Sequence, residues 1–363
     1  MAARPSDRRL RVLLLGPYPP PWGGVQTNLV ALRDFLRRRG VTCAVVNLTQ
    51  HRRLDGDDVY YPRSGIEVIR LLLRLRYEVI HLHIGGNLST RLVLLGLVCS
   101  MLPWAKVVLT FHSGGYPSSP EGRRARPFTL RGLVLRRFDR QIAVNQELVD
   151  FFRRVGCAPQ SVRLIPPHAM PAATREHLTS TELPPSVNRF VAAHQPLMIS
   201  ISGLEPEYDI PLQLEAVTAV RARYPRAGLL VVGSGSLAGE LSATCNAKPD
   251  REHILLAGDL PHAIALSAVA RSDVLLRTTH YDGDAISVRE ALWLGTPVIA
   301  TDNGMRPPGV RLVPVGDVAA LADAVLTQLA SPRESRNANV AGETLGEENL
   351  DATLRLYDEM LSP

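Results

Sequence analysis

The sequence predicts an α/β protein built from two consecutive parallel-sheet domains. Short apolar runs alternate with helical patterns along nearly the whole chain, which is typical of parallel strands covered by helices on both faces. The apolar runs form two successive series, and 363 residues are enough for two cores of ordinary size. The proline-rich stretch 183–196 separates the two series and indicates a domain boundary.

Each series contains six predicted strands. The first covers residues 11–16, 41–48, 79–84, 107–111, 141–144 and 162–165. The second covers residues 197–202, 228–232, 254–257, 274–276, 297–301 and 310–313. Helical periodicity is clearest over 26–39, 210–224, 286–294 and 348–361. We therefore predict a first domain over 1–185, a second over 186–345, and a C-terminal helix within 346–363.

The composition excludes several classes of protein. A hydrophobic fraction of 45% is ordinary for a globular chain. The four cysteines form no CxxC pair, which argues against a disulfide framework and a structural zinc site. The longest apolar stretch, residues 92–104, is shorter than the roughly 20 residues of a membrane span, so we expect a buried helix there. No secretory signal is evident, and these features together predict a cytoplasmic protein.

The charge is unevenly distributed. Residues 1–190 contain 28 Lys and Arg against 13 Asp and Glu, whereas residues 191–363 contain 13 against 22. The arginine clusters lie at 37–39, 123–126 and 131–140. They predict contact with something anionic, either a membrane surface or a lipid-phosphate acceptor, with solvated helix faces as the alternative. Nucleic acid is not expected, because no basic-aromatic interleaving is visible.

Two loops follow predicted strands of the first domain. Gly23 and Gly24 lie in the loop after the first strand, where backbone can approach a ligand at a helix start. Their alternative role is turn geometry within a proline-stiffened loop. His112 ends another strand and is followed by glycines, so it is placed to touch a ligand. His81 and His83 share one face of their strand and could form a metal pair, but no carboxylate with metal-site spacing lies nearby in the sequence, which favours packing in the core or behind a site.

Two segments of the second domain resemble phosphate-binding turns. Gly233 and Gly235 form a lone Gly-x-Gly after a strand, which tight-turn chemistry explains equally well. The stronger signal runs from Arg277 to Asp302 as strand, acidic glycine loop, helix and strand. Backbone amides at such a helix start can receive phosphate oxygens. The residues concerned are Gly283, Asp284, Ala285, Ile286 and Ser287. Asp282 and Glu290 can accept hydrogen bonds from sugar hydroxyls, and a helix cap is the alternative for Asp282 or Asp284.

This string resembles the motif of the retaining GT-B glycosyltransferases of family 4. They carry Glu-x7-Glu-Ala and then Gly-x-Pro-Val, and this chain has Asp282-x7-Glu290-Ala and Gly-Thr-Pro-Val at 295–298. The resemblance extends in order over the opening loop at 16–25 and the stretches 79–86, 107–115, 142–152 and 162–167. It implies two Rossmann-like domains facing across a cleft, with the terminal helix crossing back to the first domain.

The resemblance also implies roles for individual residues. Glu290 would hold the nucleotide ribose, and Asp282 would contact the donor hexose. The loop amides would hold the sugar and the diphosphate, with Gly23 and Gly24 on the phosphate-facing side of the first domain. His112 would lie beside the transferred sugar and the acceptor. The implied reaction transfers a hexosyl unit from a nucleoside diphosphate sugar to a hydroxyl acceptor, with retention and without a cofactor or bound metal.

Two departures from the family pattern affect the donor site. The first motif acid is Asp282, one methylene shorter than glutamate. Family members also commonly place an arginine and a lysine where this chain has Gly203 and Tyr208. A diphosphate leaving group needs cationic or amide stabilisation, and Arg277 is the predicted substitute, with Arg289 a weaker one.

The expected biological setting is cell-surface polysaccharide, glycolipid or glycoconjugate synthesis. The expected acceptor is a hydroxyl compound, and the basic first half of the chain makes a lipid-linked hydroxyl compound one candidate. The protein would then be peripheral on the inner face of the membrane. Two rival functions stay open at this point. One is a sugar-nucleotide epimerase of the same fold, and the other is a GT-B pseudoenzyme that acts as a scaffold.

Overall fold

A computed structural model describes residues 10–20, 22–49, 56–167, 175–280, 285–304, 306–331 and 347–362. By its internal contacts the chain divides into two compact units. Residues 1–168 and 347–363 form the first unit, and residues 169–346 form the second.

The first unit is a seven-stranded parallel sheet with helices on both faces. Its strands are β1 (Arg11–Gly16), β2 (Thr42–Asn47), β3 (Val59–Tyr60), β4 (Val79–Ile84), β5 (Lys106–Phe111), β6 (Arg140–Ala143) and β7 (Val162–Leu164). Its first helices are α1 (Gly24–Arg38), α2 (Gly65–Leu75), α3 (Thr90–Ser100), α4 (Pro120–Arg124), α5 (Leu130–Leu135) and α6 (Gln146–Arg154). The strand order is β3-β2-β1-β4-β5-β6-β7. It reverses direction between β1 and β4.

The second unit is a six-stranded parallel sheet of the same kind. Its strands are β8 (Leu197–Ile201), β9 (Gly228–Val232), β10 (Ile254–Gly258), β11 (Val274–Arg277), β12 (Val298–Thr301) and β13 (Arg311–Val313). Its helices are α7 (Arg175–Ser180), α8 (Pro185–Ala193), α9 (Ile210–Arg221), α10 (Ala238–Ala247), α11 (His262–Arg271), α12 (Ile286–Trp293) and α13 (Val318–Ala330). The order β10-β9-β8-β11-β12-β13 reverses between β8 and β11. Two α/β domains with parallel sheets are thus confirmed.

The sequence analysis predicts that α7 lies in the first domain, because this helix precedes the predicted boundary at residue 185. It belongs to the second unit, because the Ser267 hydroxyl on α11 donates to the carbonyl oxygen of Leu178 at 2.7 Å. Arg271, also on α11, donates to the carbonyl oxygens of Thr179 and Thr181. The sequence divides the chain at 185, whereas the contacts of the structure divide it after residue 168.

The chain ends in helix α14 (Glu348–Leu361), which packs on the first unit. Leu350, Leu356 and Met360 join the apolar layer between this helix, α1 and the sheet. Arg39 on α1 forms an ion pair with Asp351 at 3.1 Å. Helix α14 therefore closes one face of the first sheet, although the whole second unit, residues 169–346, lies between it and the other elements of the first unit along the chain.

Helix α3 corrects one expectation. The stretch 92–104 is helical as far as Ser100, but only one stripe of the helix is buried, at Val93, Gly96 and Cys99. Leu94 is 49% exposed and Met101 at its end is 66% exposed. The prediction of a buried helix therefore holds for this stripe and is wrong for the rest of the helix surface, because α3 lies in the outer layer of a three-layer unit.

Candidate functional site

The donor-side candidate lies at the carboxyl edge of the second sheet, where the chain order reverses between β8 and β11. Ligands of open α/β sheets bind at such reversal points. Arg277, the last residue of β11, spans this point, because its Nη1 donates to the carbonyl oxygen of Ile201 on β8 at 2.8 Å. The Arg277 residue is 7% exposed, and its guanidinium lies 4.8 Å from the ring centroid of Tyr208.

Tyr208 also explains why position 203 carries no large cation. A Cβ atom added to Gly203 would come within 3.0 Å of Cε2 of Tyr208. A longer side chain at this position would have to displace the ring. The segment that lacks the family's arginine and lysine nevertheless contacts a cation, which is supplied by β11 through Arg277.

A second arginine at this edge escaped the sequence analysis. Arg306 donates from Nε to the carbonyl oxygen of Thr301 at 3.0 Å and from Nη2 to Oγ1 of Thr279 at 2.8 Å. Thr279 follows β11 and Thr301 ends β12, so Arg306 bridges the carboxyl ends of both strands. The only feature of the sequence that could have indicated Arg306 is its position, five residues after a predicted strand. Arg277 and Arg306 together make this edge cationic.

Glu290 is the buried acid of the site. It lies in the second turn of α12 and its side chain is 8% exposed. Its Oε1 lies 2.7 Å from Nε2 of His262, the first residue of α11. Burial opposes protonation of His262, but the hydrogen bond and the charge of Glu290 outweigh burial, so the pKa of His262 is raised above 6.5. His262 therefore fixes the Glu290 carboxylate, and the sequence analysis missed this pair.

The loop before α12 is described only in part. Asp282, Gly283 and Asp284 lie outside the described residues. Ala285 is the N-cap of α12 and Ile286 its first residue, and both are buried, while Ser287 is half-buried. Because an alanine has no side-chain acceptor, Ala285 cannot cap the helix. Since Gly283 and Asp284 of the predicted amide site lie outside the described residues, that site remains a prediction.

The Gly-x-Gly turn has a packing role. A Cβ atom at Gly233 would lie 1.9 Å from the carbonyl oxygen of Ser202, and one at Gly235 would lie 2.4 Å from that of Leu204. Gly233 also has a φ of 136°. Both glycines are therefore needed so that this turn can approach the backbone after β8, which supports the tight-turn interpretation.

The first unit places His112 at the end of a row of three histidines, of which His81 and His83 are buried and His112 is half-buried. His81 and His83 point to the same side of β4, with ring centroids 4.1 Å apart. His83 Nδ1 lies 3.2 Å from Nε2 of His112, and His81 Nε2 lies 2.6 Å from Oγ1 of Thr110. The other nitrogen of His81 bonds to the hydroxyl of Tyr357 on α14.

Desolvation keeps these histidines neutral. It lowers the pKa of His81 to about 3 and lowers the pKa values of His83 and His112 as well. Both nitrogens of His81 are hydrogen-bonded, which supports core packing over a metal pair. Among the described residues, no group of three or more His, Cys, Asp or Glu side chains is arranged to hold a metal ion.

Gly23 and Gly24 lie where the first sheet reverses its order, next to β1. Gly23 is the N-cap of α1 in an extended conformation and Gly24 is the first residue of the helix. A Cβ atom at Gly23 would meet only the flexible side chain of Gln26, at 2.9 Å. The positions are compatible with a close ligand approach at the start of α1, and the turn itself does not require glycine at 23.

A groove of about 920 Å³ opens between α2 and α3. Its walls are largely apolar, and they include Ile69 of α2 and Leu94 of α3. Arg63 and Arg91 also line it, and its inner end reaches Asn47 at the carboxyl end of β2. The groove therefore combines apolar walls with two arginines and reaches the carboxyl end of a strand of the first sheet.

Two family models match the chain, one in each unit. Residues 22–168 match Glycosyltransferase Family 4, and residues 195–331 match Glycosyl transferases group 1. The order and spacing agree with the motifs found at 282–298 in the second unit and at 16–25 in the first.

Similar proteins extend over nearly the whole chain. A GDP-mannose-dependent alpha-(1-6)-phosphatidylinositol monomannoside mannosyltransferase of Mycolicibacterium smegmatis is 26% identical over 377 residues, covering 91% of this chain and 92% of the relative. A phosphatidyl-myo-inositol mannosyltransferase of Mycobacterium leprae is 24% identical, covering 88% and 87%. The crystal structure of Anabaena HepE with UDP-glucose superposes with a TM-score of 0.70 at 16% identity, covering 97% of this chain and 99% of that one.

The fold and the two matched family models define a glycosyltransferase of the GT-B type. The chain belongs to the family 4 glycosyltransferases, also described as glycosyl transferases group 1.

Proposed function

We propose that the protein transfers a hexosyl unit from a nucleoside diphosphate sugar to a lipid-linked hydroxyl acceptor, with retention of the anomeric configuration. The observation that carries the donor half is the buried Glu290 carboxylate, held by His262 beside a sheet edge that also presents Arg277 and Arg306. A carboxylate fixed in this way can accept hydrogen bonds from vicinal ribose hydroxyls, because Oε2 is left for the ligand. GDP-mannose is the first donor to test, because one relative is named for it.

The diphosphate contact is assigned to Arg277 and Arg306. Charge develops on the departing diphosphate, and preorganised cations stabilise it without reorganising during the reaction. Hydrogen bonds to Ile201, Thr279 and Thr301 fix both guanidinium groups at the carboxyl edge. Asp282 would contact the hexose and the amides of residues 283–287 would complete the phosphate site.

His112 is assigned to the sugar and acceptor side. Since its pKa is lowered, the ring is neutral at physiological pH and can donate one hydrogen bond and accept another. In a front-face mechanism the departing phosphate takes the acceptor proton, so no pair of carboxylates flanking the bond is needed. The proposed reaction needs no bound metal.

The groove between α2 and α3 supports a lipid-linked acceptor. Its apolar walls suit an acyl chain, and Arg63 and Arg91 suit a phosphate head group. The two curated relatives are named for phosphatidylinositol-based acceptors. A phosphatidylinositol lipid is therefore the first acceptor to test, with the protein working at the cytoplasmic face of a membrane.

The decisive experiment combines GDP-mannose and phosphatidylinositol with the purified protein and determines the product anomer by NMR. An α-linked product supports retention, and inverted product overturns it. An epimer formed from the donor alone would assign an epimerase instead. Absence of nucleotide-sugar binding by calorimetry, across a panel of donors, would assign a scaffold.

The cation assignment has its own variants. Arg277→Lys and Arg306→Lys keep a charge but lose the planar fork, so each should weaken donor binding while preserving the fold. Arg311→Gln, an exposed arginine of β13 in the same unit, is the matched control. Donor affinities equal to that of the control would overturn the diphosphate assignment.

A further inference from the structure

The helical layer α2–α3–α5 packs on one face of the first sheet and carries most of the large apolar side chains that are exposed among the described residues. Its inner side packs into one core with the sheet, through residues such as Leu72, Val93 and Leu135. Eight of the thirteen large apolar side chains that are exposed among the described residues belong to this layer. They are Ile66, Ile69, Leu73, Leu94, Met101, Phe128, Leu130 and Leu133. Exposed apolar groups concentrated in this way mark an interaction surface.

The segment of the chain that carries this layer, and that also contains β4, β5 and α4, is strongly basic. Residues 61–140 contain 13 Lys and Arg against 4 Asp and Glu. Nine of the arginines are exposed and form no ion pair with a carboxylate of the described chain. They are Arg70, Arg74, Arg76, Arg91, Arg123, Arg124, Arg126, Arg136 and Arg137. Their charge is therefore available to an external anionic partner.

The arginines of α1 show that this is not a general property of the unit. Arg37 pairs with Asp57 at 2.7 Å and with Asp58 at 2.9 Å. Arg38 and Arg39 pair with acids of the C-terminal segment. The α1 cluster is thus neutralised within the protein, whereas the nine exposed arginines of segment 61–140 pair with no carboxylate among the described residues.

Phe128 is the most exposed large apolar residue in the described part of the chain, at 86%. Several contacts fix the turn that carries it. Thr129 Oγ1 accepts from the amide of Arg126 at 3.2 Å and donates to its carbonyl oxygen at 2.8 Å. Arg136 donates to the carbonyl oxygen of Pro127 at 2.9 Å. A Cβ atom on Gly132 would lie 2.0 Å from the Arg126 carbonyl oxygen, so the turn packs directly against α5.

We propose that the outer surface of the α2–α3–α5 layer docks onto an anionic phospholipid bilayer, with Phe128 and its apolar neighbours inserted among the lipids. Exposed aromatic and leucine side chains interleaved with arginines are typical of surfaces that lie in the membrane interface. Anionic lipids supply the countercharge that the described residues of the chain do not. The groove between α2 and α3 opens within the same layer, so docking would bring it to the bilayer.

This inference rests on the proposed lipid-linked acceptor, but it is tested separately. The full-length protein is sedimented, without donor, with vesicles of phosphatidylcholine alone or of phosphatidylcholine with phosphatidylglycerol. We expect binding only to the anionic vesicles, weakening as salt is raised. Because no sugar transfer is measured, a failure of docking and a failure of the enzymatic proposal are distinct results.

Two pairs of variants identify the surface. Phe128→Ser should weaken vesicle binding about tenfold, whereas Leu312→Ser, an exposed apolar residue of the second unit, should not. Replacing Arg70 and Arg74 of α2 with glutamine should weaken binding about fivefold for each arginine, whereas Arg153→Gln on α6 should have little effect. Thermal unfolding checks that each variant folds.

Three results would overturn the proposal. One is a wild-type protein that does not bind the anionic vesicles. Another is equal loss for Phe128→Ser and Leu312→Ser. The third is dependence on the arginines without dependence on Phe128, which would indicate a general polyanion surface, such as one for nucleic acid.

Discussion

The contact between His262 and Glu290 makes a quantitative prediction about donor binding. His262 holds one oxygen of a buried carboxylate at 2.7 Å, and this leaves the other oxygen in a fixed position. Replacing the histidine with glutamine keeps a hydrogen-bond donor but removes the charge. If Glu290 binds the ribose, the variant should bind the donor more weakly because the carboxylate is no longer held.

The contact sets the magnitude. A hydrogen bond to a charged group typically contributes about 1.5–3 kcal/mol. The His262 side chain remains 25% exposed, so the lower end applies. About 1.5 kcal/mol corresponds to roughly a tenfold change in affinity. We therefore expect His262→Gln to raise the donor KM about tenfold, with a smaller effect on kcat, because the contact is made before the chemical step.

The same contact predicts how the unfolding free energy changes with pH. The folded pKa of His262 is raised above 6.5, so its contribution to stability is complete below pH 6.5 and is lost as the pH rises through the folded pKa. The unfolding free energy of the wild-type protein should therefore fall over this interval relative to that of His262→Gln. Urea unfolding at a series of pH values measures the difference.

The matched control is His253→Gln. His253 also lies near a glutamate, Glu252 at 3.4 Å, but this pair precedes β10 at the opposite edge of the sheet. The control should leave the donor KM unchanged. Equal donor KM values for His262→Gln and the control, or no difference in pH dependence, would refute the positioning role.

Three further predictions concern the scaffold and the first unit. Tyr357→Phe removes the hydroxyl that bonds to His81 and should lower the unfolding free energy by about 1–2 kcal/mol, measured with urea; no loss would contradict the docking role of α14. Gly233→Ala should cost more than about 2 kcal/mol because its Cβ would overlap a carbonyl oxygen, whereas Gly239→Ala, in open space on α10, should stabilise by about 0.5–1 kcal/mol in thermal unfolding; equal effects would refute the packing argument. His83→Phe removes the hydrogen-bond partner of His112 and should lower kcat without changing the donor KM. An unchanged kcat would show that the contact between His83 and His112 is only structural.

Most strands could be located from the sequence, because a buried parallel strand is a continuous apolar run. The bounds of β4 and β9 agree to the residue, as do those of α14. Strand β3 was missed because it has only two residues. The short helices α4 and α5 have too few turns to show a clear period.

Part of the candidate site could likewise be located from the sequence, and part of it could not. The motif containing Glu290 could be recognised because its residues are close in sequence. Its partner His262 is 28 residues away, and Arg306 is likewise brought to the edge by the pairing of β11 with β12. Such contacts depend on which strands are neighbours, and periodicity along a chain does not contain that information.

The basic first half illustrates the same limit. The sequence by itself determined the two α/β domains, the glycosyltransferase motif and the excess of arginine, because each is a local or summed property of the chain. Only the tertiary structure separated the arginines of α1, which face acids of the same unit, from those of the α2–α3–α5 layer, which do not. The physical reason is that neutralisation requires two charges within a few ångströms, and folding alone decides which residues come that close.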